Sequence, residues 1–215
     1  MTPDRFAAAR RRMVQAVARA VPGCPDRVLE ALVRVPRHRF VDEALWPRAY
    51  RDEALPIGHG QTISKPSTVA RMTAALGPGP GERILEVGTG SGYQAAVLAL
   101  LAGAVFTVER IPALAVRART RLDRLGIRNV EIRPGDGRIG WPEQAPFDAV
   151  LVTAAAARVP RSLFEQVRPG GRLVAPVGEG EDQRIVCWLH AGGEWELQEL
   201  DPCRFVPLRE GMGGR

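Results

Sequence analysis

Residues 83–93 read RILEVGTGSGY, an apolar run that leads into a loop with glycine at positions 88, 90 and 92. Glycine has no Cβ atom, so a nucleotide can approach the backbone of such a loop closely. Good helix formers follow at 93–101, which places the loop between the end of a strand and the start of a helix. Because α/β sheets bind ligands at this edge, the stretch predicts a nucleotide-binding loop in an α/β fold.

The glycine spacing indicates which cofactor binds. The pattern is GxGxG preceded by the acidic residue Glu86, and it differs from the GxGxxG of dinucleotide-binding proteins, in which a helix N-terminus faces a pyrophosphate. This spacing favours S-adenosylmethionine over NAD. The alternative is that the loop is only a structural turn.

Two further carboxylates argue against a mere turn. Glu109 follows a predicted strand at 104–108, where its carboxylate can accept both hydrogen bonds of a ribose diol. Asp136, between two glycines, follows a predicted strand at 129–133 and suits an adenine amino group. With Glu86, three carboxylates therefore lie at or beside strand ends in a regular βαβ rhythm.

The length of 215 residues and the hydrophobic fraction of 45% suit one α/β domain. We predict a Rossmann-like class I S-adenosylmethionine-dependent methyltransferase fold, with a central, mostly parallel sheet and helices on both faces. Residues 1–56 would form a helical cap across the open edge, 57–208 the binding and catalytic core, and 209–215 a frayed tail. Further strands are expected at 147–153 and 172–177, and a hairpin at 183–190 and 194–200.

Helix signals are clearest before the glycine loop. A first helix is predicted to begin near 2–4, to end at Pro22 and Gly23, and to bury Phe6, Met13, Val17 and Val21. A second is predicted over 26–34, followed by irregular chain at 36–56. A third should run from Ser64 to Ala75, and a short one over 160–167.

Charge and cysteine content limit the classes of partner and ligand that the sequence predicts. The formal net charge is +6, and all 30 basic residues except Lys65 are arginines spread along the chain. This distribution favours solubility and steering over nucleic-acid binding. Three cysteines without paired or metal-ligand spacing predict neither a disulfide framework nor a metal site. No apolar run is long enough for a membrane span, so we expect a cytoplasmic protein, and we expect it to be a monomer.

Residues 55–66, LPIGHGQTISKP, read as a glycine-flexible loop that leads into a helix. The loop would carry Gln61, Thr62 and Ser64 to the helix N-terminus, where free N–H groups and the helix dipole favour an anion such as a carboxylate. The alternative is that Ser64 is simply the N-cap of the helix.

Several motifs resemble one family over nearly the whole chain. They are VPRHRFVDEAL (35–45), ALPIGHGQTIS (54–64), RILEVGTGSGYQAA (83–96), VERI (108–111), GDG (135–137), FDAVLVTAA (147–155) and RFVPL (204–208). The chain is similar to the protein-L-isoaspartate (D-aspartate) O-methyltransferases. The glycine loop is shared by many methyltransferases, whereas the second and last motifs are specific to this family.

The resemblance implies transfer of the methyl group of S-adenosylmethionine to the α-carboxylate of L-isoaspartyl residues in damaged proteins and peptides. The products are S-adenosylhomocysteine and a methyl ester that collapses to a succinimide. Ser64 would be the active-site residue. The substrate site would comprise Gln61, Thr62, Ile63, Arg204, Phe205, Val206, Pro207 and Leu208. Glu86, Gly88, Glu109 and Asp136 fall on cofactor positions, and their neighbours Thr89, Gly90, Ser91, Gly92, Arg110 and Gly137, together with Thr153, complete the expected cofactor site.

The chain departs from the family at three positions. The family commonly has a bulky Tyr or His in place of Ser67, a Met in place of Thr68 and a proline in place of Ala156. The first two departures leave open an alternative: a related enzyme that methylates a defined aspartate of one peptide to form aspartimide. A non-catalytic cofactor-binding adaptor and a nucleic-acid methyltransferase are further alternatives, disfavoured by the intact site residues and by the lack of an aromatic platform for bases.

Overall fold

The computed structural model describes residues 5–213, which form six α-helices and nine strands. The helices are α1 (Ala7–Ala20), α2 (Asp26–Arg34), α3 (Pro66–Leu76), α4 (Tyr93–Ala99), α5 (Pro112–Arg124) and α6 (Arg161–Phe164). The strands are β1 (Leu55–Gly58), β2 (Gln61–Ile63), β3 (Arg83–Val87), β4 (Ala104–Glu109), β5 (Val130–Pro134), β6 (Phe147–Val152), β7 (Val167–Glu179), β8 (Asp182–Ala191) and β9 (Glu194–Cys203).

Seven strands form one sheet in the order β5-β4-β3-β6-β7-β8-β9. The pairs from β5 to β7 are parallel, and β8 and β9 are added antiparallel. The chain order reverses between β3 and β6, so their carboxyl ends open a crevice at the middle of the sheet. Central strands such as β6 are almost entirely buried, as their unbroken apolar sequences predict.

The two faces of the sheet carry different layers. One hydrophobic cluster joins residues of α1 to α5 to one face, with Leu32, Leu98 and Leu114 among its members. A smaller cluster covers the other face with Leu163 of α6 and neighbouring aromatic residues such as Phe164 and Trp141. The α/β architecture with helices on both faces is therefore confirmed, although of the helices in the described residues only α6 packs on the second face.

The N-terminal segment differs in placement from the expected edge cap. Helices α1 and α2 pack on α3, and α2 also contacts α4, so the segment forms an outer layer over one face. Helix α2 has the predicted bounds, while the predicted start of α1 at 2–4 lies outside the described residues. Phe6, expected to be buried, is only partly so and precedes α1. Residues 37–48 contain two short 3-10 helices, which suits the predicted irregular segment.

Two further segments are more ordered than the sequence predicts. The expected loop at 55–63 is an antiparallel hairpin, in which β1 pairs with β2 around His59 and Gly60. The described part of the expected frayed tail is also tied down, since Gly213 N donates to Arg110 O at 2.6 Å. Among residues 5–213, no helix is long and apolar enough to cross a membrane.

Candidate functional site

The glycine loop, residues 88–92, turns the chain from β3 into α4. Its three glycines have positive φ, from 52° at Gly90 to 98° at Gly88, a backbone region that costs other residues strain. A Cβ on Gly88 would lie 2.4 Å from Thr153 Oγ1. That hydroxyl donates to the carbonyls of Val87 and Gly88, at 2.9 and 2.7 Å, so the end of β6 fixes the loop. Glycine is therefore required here by both φ and packing.

Glu86 lies beneath the loop and is fully buried. Its Oε2 accepts a hydrogen bond from the Thr107 hydroxyl at 2.5 Å, and Thr107 contacts the Thr89 hydroxyl at 2.7 Å. Burial raises the pKa of Glu86 to about 8, although the Thr107 hydrogen bond opposes this shift. This residue, predicted from sequence to serve the cofactor, thus supports the loop from below and does not line the cavities above it.

Glu109 at the end of β4 faces the crevice. Its Oε2 accepts the Gly90 N–H at 2.7 Å and its Oε1 accepts the Ile111 N–H at 2.9 Å. Burial raises the pKa of this carboxyl despite the backbone hydrogen bonds that lower it. A carboxylate has about four lone-pair sites, so Glu109 can still accept hydrogen bonds from a diol while it holds the glycine loop.

Asp136 is engaged by backbone from two segments. Its Oδ1 accepts the Arg138 N–H at 2.8 Å, and its Oδ2 accepts the Gly211 N–H at 2.6 Å. Arg110 Nε donates to Gly211 O at 3.2 Å, so the chain near the C-terminus bridges the ends of β4 and β5. Gly137, next to Asp136, lines the crevice, and a Cβ there would lie 2.6 Å from Val87 Cγ1.

The crevice contains three adjoining cavities. The edge cavity is lined by Gln61, Thr62, Val87, Gly88, Gly90, Val108, Glu109, Arg110, Gly137, Thr153, Ala154, Val206, Pro207, Leu208 and Arg209. The inner cavity is lined by Thr62, Ile63, Ser64, Thr68, Val69, Met72, Gly88, Thr89, Gly90, Ser91, Tyr93, Gln94, Thr153 and Phe205. The outer cavity is lined by Ala54, Thr62, Ser64, Lys65, Thr68, Thr153, Pro202, Cys203, Arg204, Phe205 and Val206. All three share Thr62 and Thr153, so the predicted substrate and cofactor residues meet at one place.

Ser64 lies between the hairpin and α3 and lines both the inner and the outer cavity. It is not the N-cap of α3, since that position is occupied by Lys65, which makes no side-chain capping bond. The capping alternative for Ser64 is therefore wrong. Within residues 5–213, the Ser64 hydroxyl makes no hydrogen bond, and it remains free to contact a ligand.

The closing segment, residues 204–208, is held from two sides. Gln183 accepts the Phe205 N–H at 2.7 Å and donates to the Phe205 carbonyl at 3.2 Å. Ala155 N donates to Val206 O at 2.8 Å, and Leu208 N donates to Ala155 O at 2.6 Å. The segment thus runs beside the end of β6, facing the hairpin across the crevice.

The departures from the family pattern have different surroundings. Thr68 lines the inner and outer cavities. Ser67 is buried, with 3% of its surface exposed, and is absent from their linings. Ala156 forms an isolated β-bridge with Val177 and does not line these cavities. Three lining residues are not predicted from the sequence: Tyr93, Gln94 and Arg209. Of these, only Arg209 has a sequence signal, because it directly follows the RFVPL motif.

Comparison with known proteins gives one consistent family. The family model described as protein-L-isoaspartate(D-aspartate) O-methyltransferase matches residues 10–213. A protein-L-isoaspartate O-methyltransferase of Magnetococcus marinus is 55% identical over 183 residues, covering 85% of this chain and 80% of its own. The protein of the same name from Anaeromyxobacter dehalogenans is 57% identical over 185 residues, covering 85% and 88%.

Comparison with solved structures gives the same family. One named protein-L-isoaspartate O-methyltransferase superposes with a TM-score of 0.85 at 28% identity, over 95% of this chain and 67% of its own. A second is a candidate enzyme of this kind from Plasmodium falciparum in complex with S-adenosyl-L-homocysteine. It superposes with a TM-score of 0.80 at 25% identity, over 93% and 98%. Fold and cofactor class are thus supported independently of the motifs.

Proposed function

Because the chain belongs to the protein-L-isoaspartate (D-aspartate) O-methyltransferase family, we propose that Ser64 orients the isoaspartyl carboxylate while the glycine loop and Glu109 hold the cofactor. The enzyme is an S-adenosylmethionine-dependent repair methyltransferase acting on L-isoaspartyl residues. The observation that carries the assignment of roles is that Ser64 and two glycines of the loop, Gly88 and Gly90, line one cavity.

The residues of the edge cavity fit the cofactor. Backbone without side chains is available at Gly88, Gly90 and Gly137, and the Glu109 carboxylate retains acceptor capacity for a ribose diol. Asp136 supports this wall through the Arg138 and Gly211 N–H groups. When bound, S-adenosylmethionine supplies a methyl group on a positively charged sulfur. We assign Thr89, Ser91 and Thr153 to the walls that border this site.

The outer cavity, which we assign to the substrate, carries positive charge suited to an anionic ligand. The outer cavity is lined by Lys65 and Arg204, and no carboxylate residue contributes to its lining. Arg204 lies 3.1 Å from Glu181, but both side chains are highly exposed, so their attraction is screened by water. Phe205 and Val206 add apolar surface for the peptide chain. An anionic isoaspartyl peptide suits this environment.

No general base is required for the reaction. An α-carboxyl with a pKa of about 3.5 is already ionised at neutral pH, so its oxygen can attack the methyl carbon directly. Bound S-adenosylmethionine would supply the methyl group, and its transfer to the carboxylate oxygen would give the methyl ester and S-adenosylhomocysteine. Orientation then dominates, and well-placed reactants can lower a barrier by roughly 7–11 kcal/mol. We assign this orienting role to the free hydroxyl of Ser64, with Gln61, Thr62 and Ile63 beside it.

We further propose that the chain acts as a single domain and as a monomer, in the cytoplasm and on proteins rather than nucleic acid. Its three cysteines are free, which suits a reducing compartment. Some arginines are neutralised by surface ion pairs, as Arg117 is by Asp42 at 3.0 Å. Sedimentation would test the monomer, and labelling of RNA from the radioactive cofactor would argue against the protein specificity.

Methyl incorporation into an isoaspartyl peptide and its aspartyl twin tests the function. We expect strong labelling of the isoaspartyl peptide, with methanol released at alkaline pH as the mark of an ester. Equal or greater labelling of the aspartyl twin would instead favour the aspartimide-forming alternative.

A further inference from the structure

The first free N–H group of α3 is capped from a distant part of the chain. Pro66 has no N–H group, so Ser67 carries the first one that needs an acceptor. Asp52 Oδ1 accepts it at 2.8 Å, across 15 residues of sequence. A carboxylate at a helix N-terminus is also favoured by the helix dipole.

The same N–H group is the one that Ser64 would otherwise take. A serine side chain can accept a backbone N–H three residues further along the chain, and Ser64, one residue before the N-cap Lys65, has that spacing from Ser67. The sequence Ser64-Lys65-Pro66-Ser67 has this spacing, which is why capping is the natural alternative function of Ser64. Because Asp52 already accepts the Ser67 N–H, the Ser64 hydroxyl is left facing the inner and outer cavities.

The segment that carries Asp52 is held by a fully buried arginine. Arg37 Nε donates to Ala49 O at 2.9 Å, and another guanidinium nitrogen donates to Glu53 O at 3.2 Å. These two carbonyls bracket Asp52. The guanidinium carbon also lies 5.0 Å from the ring centre of Tyr93, which begins α4 directly after the glycine loop. Asp52 is thus held in place relative to both the glycine loop and the N-terminus of α3.

We propose that Asp52 is a positioning residue for methyl transfer, which caps α3 in place of Ser64 and so keeps the Ser64 hydroxyl available to the substrate carboxylate. This inference rests on the orienting role proposed for Ser64. When the Asp52 carboxylate is removed, Ser64 turns to cap the Ser67 N–H and no longer orients the substrate.

A double-mutant cycle separates this role from a merely structural one. We expect Asp52→Ala to lower kcat by roughly ten- to a hundredfold, to leave cofactor affinity unchanged, and to have no further effect on kcat in a Ser64→Ala background. Asp52→Asn, which keeps an acceptor oxygen, should recover most of the turnover. Asp42→Ala is the matched control, because Asp42 precedes Asp52 in the same segment, pairs with Arg117 of α5 and has no side-chain hydrogen bond to α3 among residues 5–213. An equal loss in both backgrounds, or wild-type turnover of Asp52→Ala, would overturn the proposal.

Amide hydrogen exchange at Ser67 tests the capping itself, without relying on activity or on the folding of Asp52→Ala. Exchange in Ser64→Ala should match the wild type, because Asp52 holds the group, whereas faster exchange would contradict the proposal. Wild-type turnover of the isoaspartyl peptide is measured alongside. Its absence would refute the proposed function, while normal wild-type turnover with an additive cycle would refute only the role of Asp52.

Discussion

The glycine loop and the hairpin segment, residues 55–68, contribute to one crevice but are built in opposite ways. The loop is continuous with a buried strand, and its shape follows from glycines with positive φ and from contacts with Thr153. The hairpin segment is largely exposed at 58–60 and is completed by two other parts of the chain: Asp52, which lies 15 residues before Ser67, and the closing segment at 204–208. The proposed cofactor loop thus takes its shape mainly from its own glycines, whereas the proposed substrate side is completed by residues of other segments.

The largest effect is expected from substitution of Gly88 in the glycine loop, which should abolish cofactor binding. Gly88→Ala introduces a Cβ 2.4 Å from Thr153 Oγ1 at a φ of 98°, so we expect a loss of at least about 1–3 kcal/mol of stability and of measurable cofactor binding. Calorimetric titration with S-adenosylhomocysteine checks this. Gly126→Ala is the control, because Gly126 also has positive φ but no atom within 4 Å of the added Cβ. Normal affinity in Gly88→Ala would refute the account of the loop.

Substitution of Ser64 should affect only the substrate half. Ser64→Ala removes the hydroxyl that we propose orients the carboxylate, so we expect kcat to fall roughly ten- to a hundredfold with cofactor affinity nearly unchanged. Ser64→Thr, which keeps a hydroxyl, should retain more turnover. Steady-state kinetics with an isoaspartyl peptide provide the measurement, and equal turnover in Ser64→Ala would exclude the assigned role.

The buried acid beneath the loop should make stability depend on pH. Because burial raises the pKa of Glu86 from 4.5 to about 8, the folded state retains a proton that the unfolded state releases, and this residue's stabilising effect is lost as pH rises through that window. Glu86→Gln should remove this pH-dependent loss of stability, because glutamine does not ionise. The free energy of unfolding of Glu86→Gln relative to wild type, measured by denaturant titration, should therefore increase between about pH 4.5 and 8, by an amount on the order of a few kcal/mol. A difference independent of pH would contradict this prediction.

Removal of the tail should weaken the cofactor half mildly. Residues 210–213 bridge the ends of β4 and β5 through Arg110 and Asp136 without lining the crevice themselves. Deletion of 210–215 should raise the Kd for S-adenosylhomocysteine by roughly three- to tenfold, equivalent to about 1 kcal/mol, with little change in kcat. A fall in kcat at unchanged Kd would place the tail in the substrate half instead.

The smallest effect is expected from the rim charge of the substrate half. Lys65→Met removes a cation from the outer cavity and should raise KM for an anionic peptide by roughly twofold at low salt, since an exposed charge contributes at most about 1 kcal/mol. The difference should vanish at high ionic strength. A salt-independent increase would indicate a direct contact in place of steering.

The same contrast explains what could be read from the sequence. The glycine loop, α2 and the β8–β9 hairpin follow from local patterns and were predicted with nearly their observed bounds. The strands β1 and β2 have only four and three residues, too few for a periodic pattern, so the sequence of this segment predicts a loop. The bond between Asp52 and Ser67 leaves no local signal, because it depends on how Arg37 folds a separate segment. The docking of the tail on Asp136 is likewise a tertiary contact.

A structure of the enzyme with S-adenosylhomocysteine and an isoaspartyl peptide tests most directly whether the two regions meet as one site. We expect the ribose hydroxyls to contact Glu109, and the peptide carboxylate to lie within hydrogen-bonding distance of Ser64 Oγ while Asp52 still accepts the Ser67 N–H. A peptide carboxylate bound elsewhere, with Ser64 Oγ turned back to cap α3, would contradict the account.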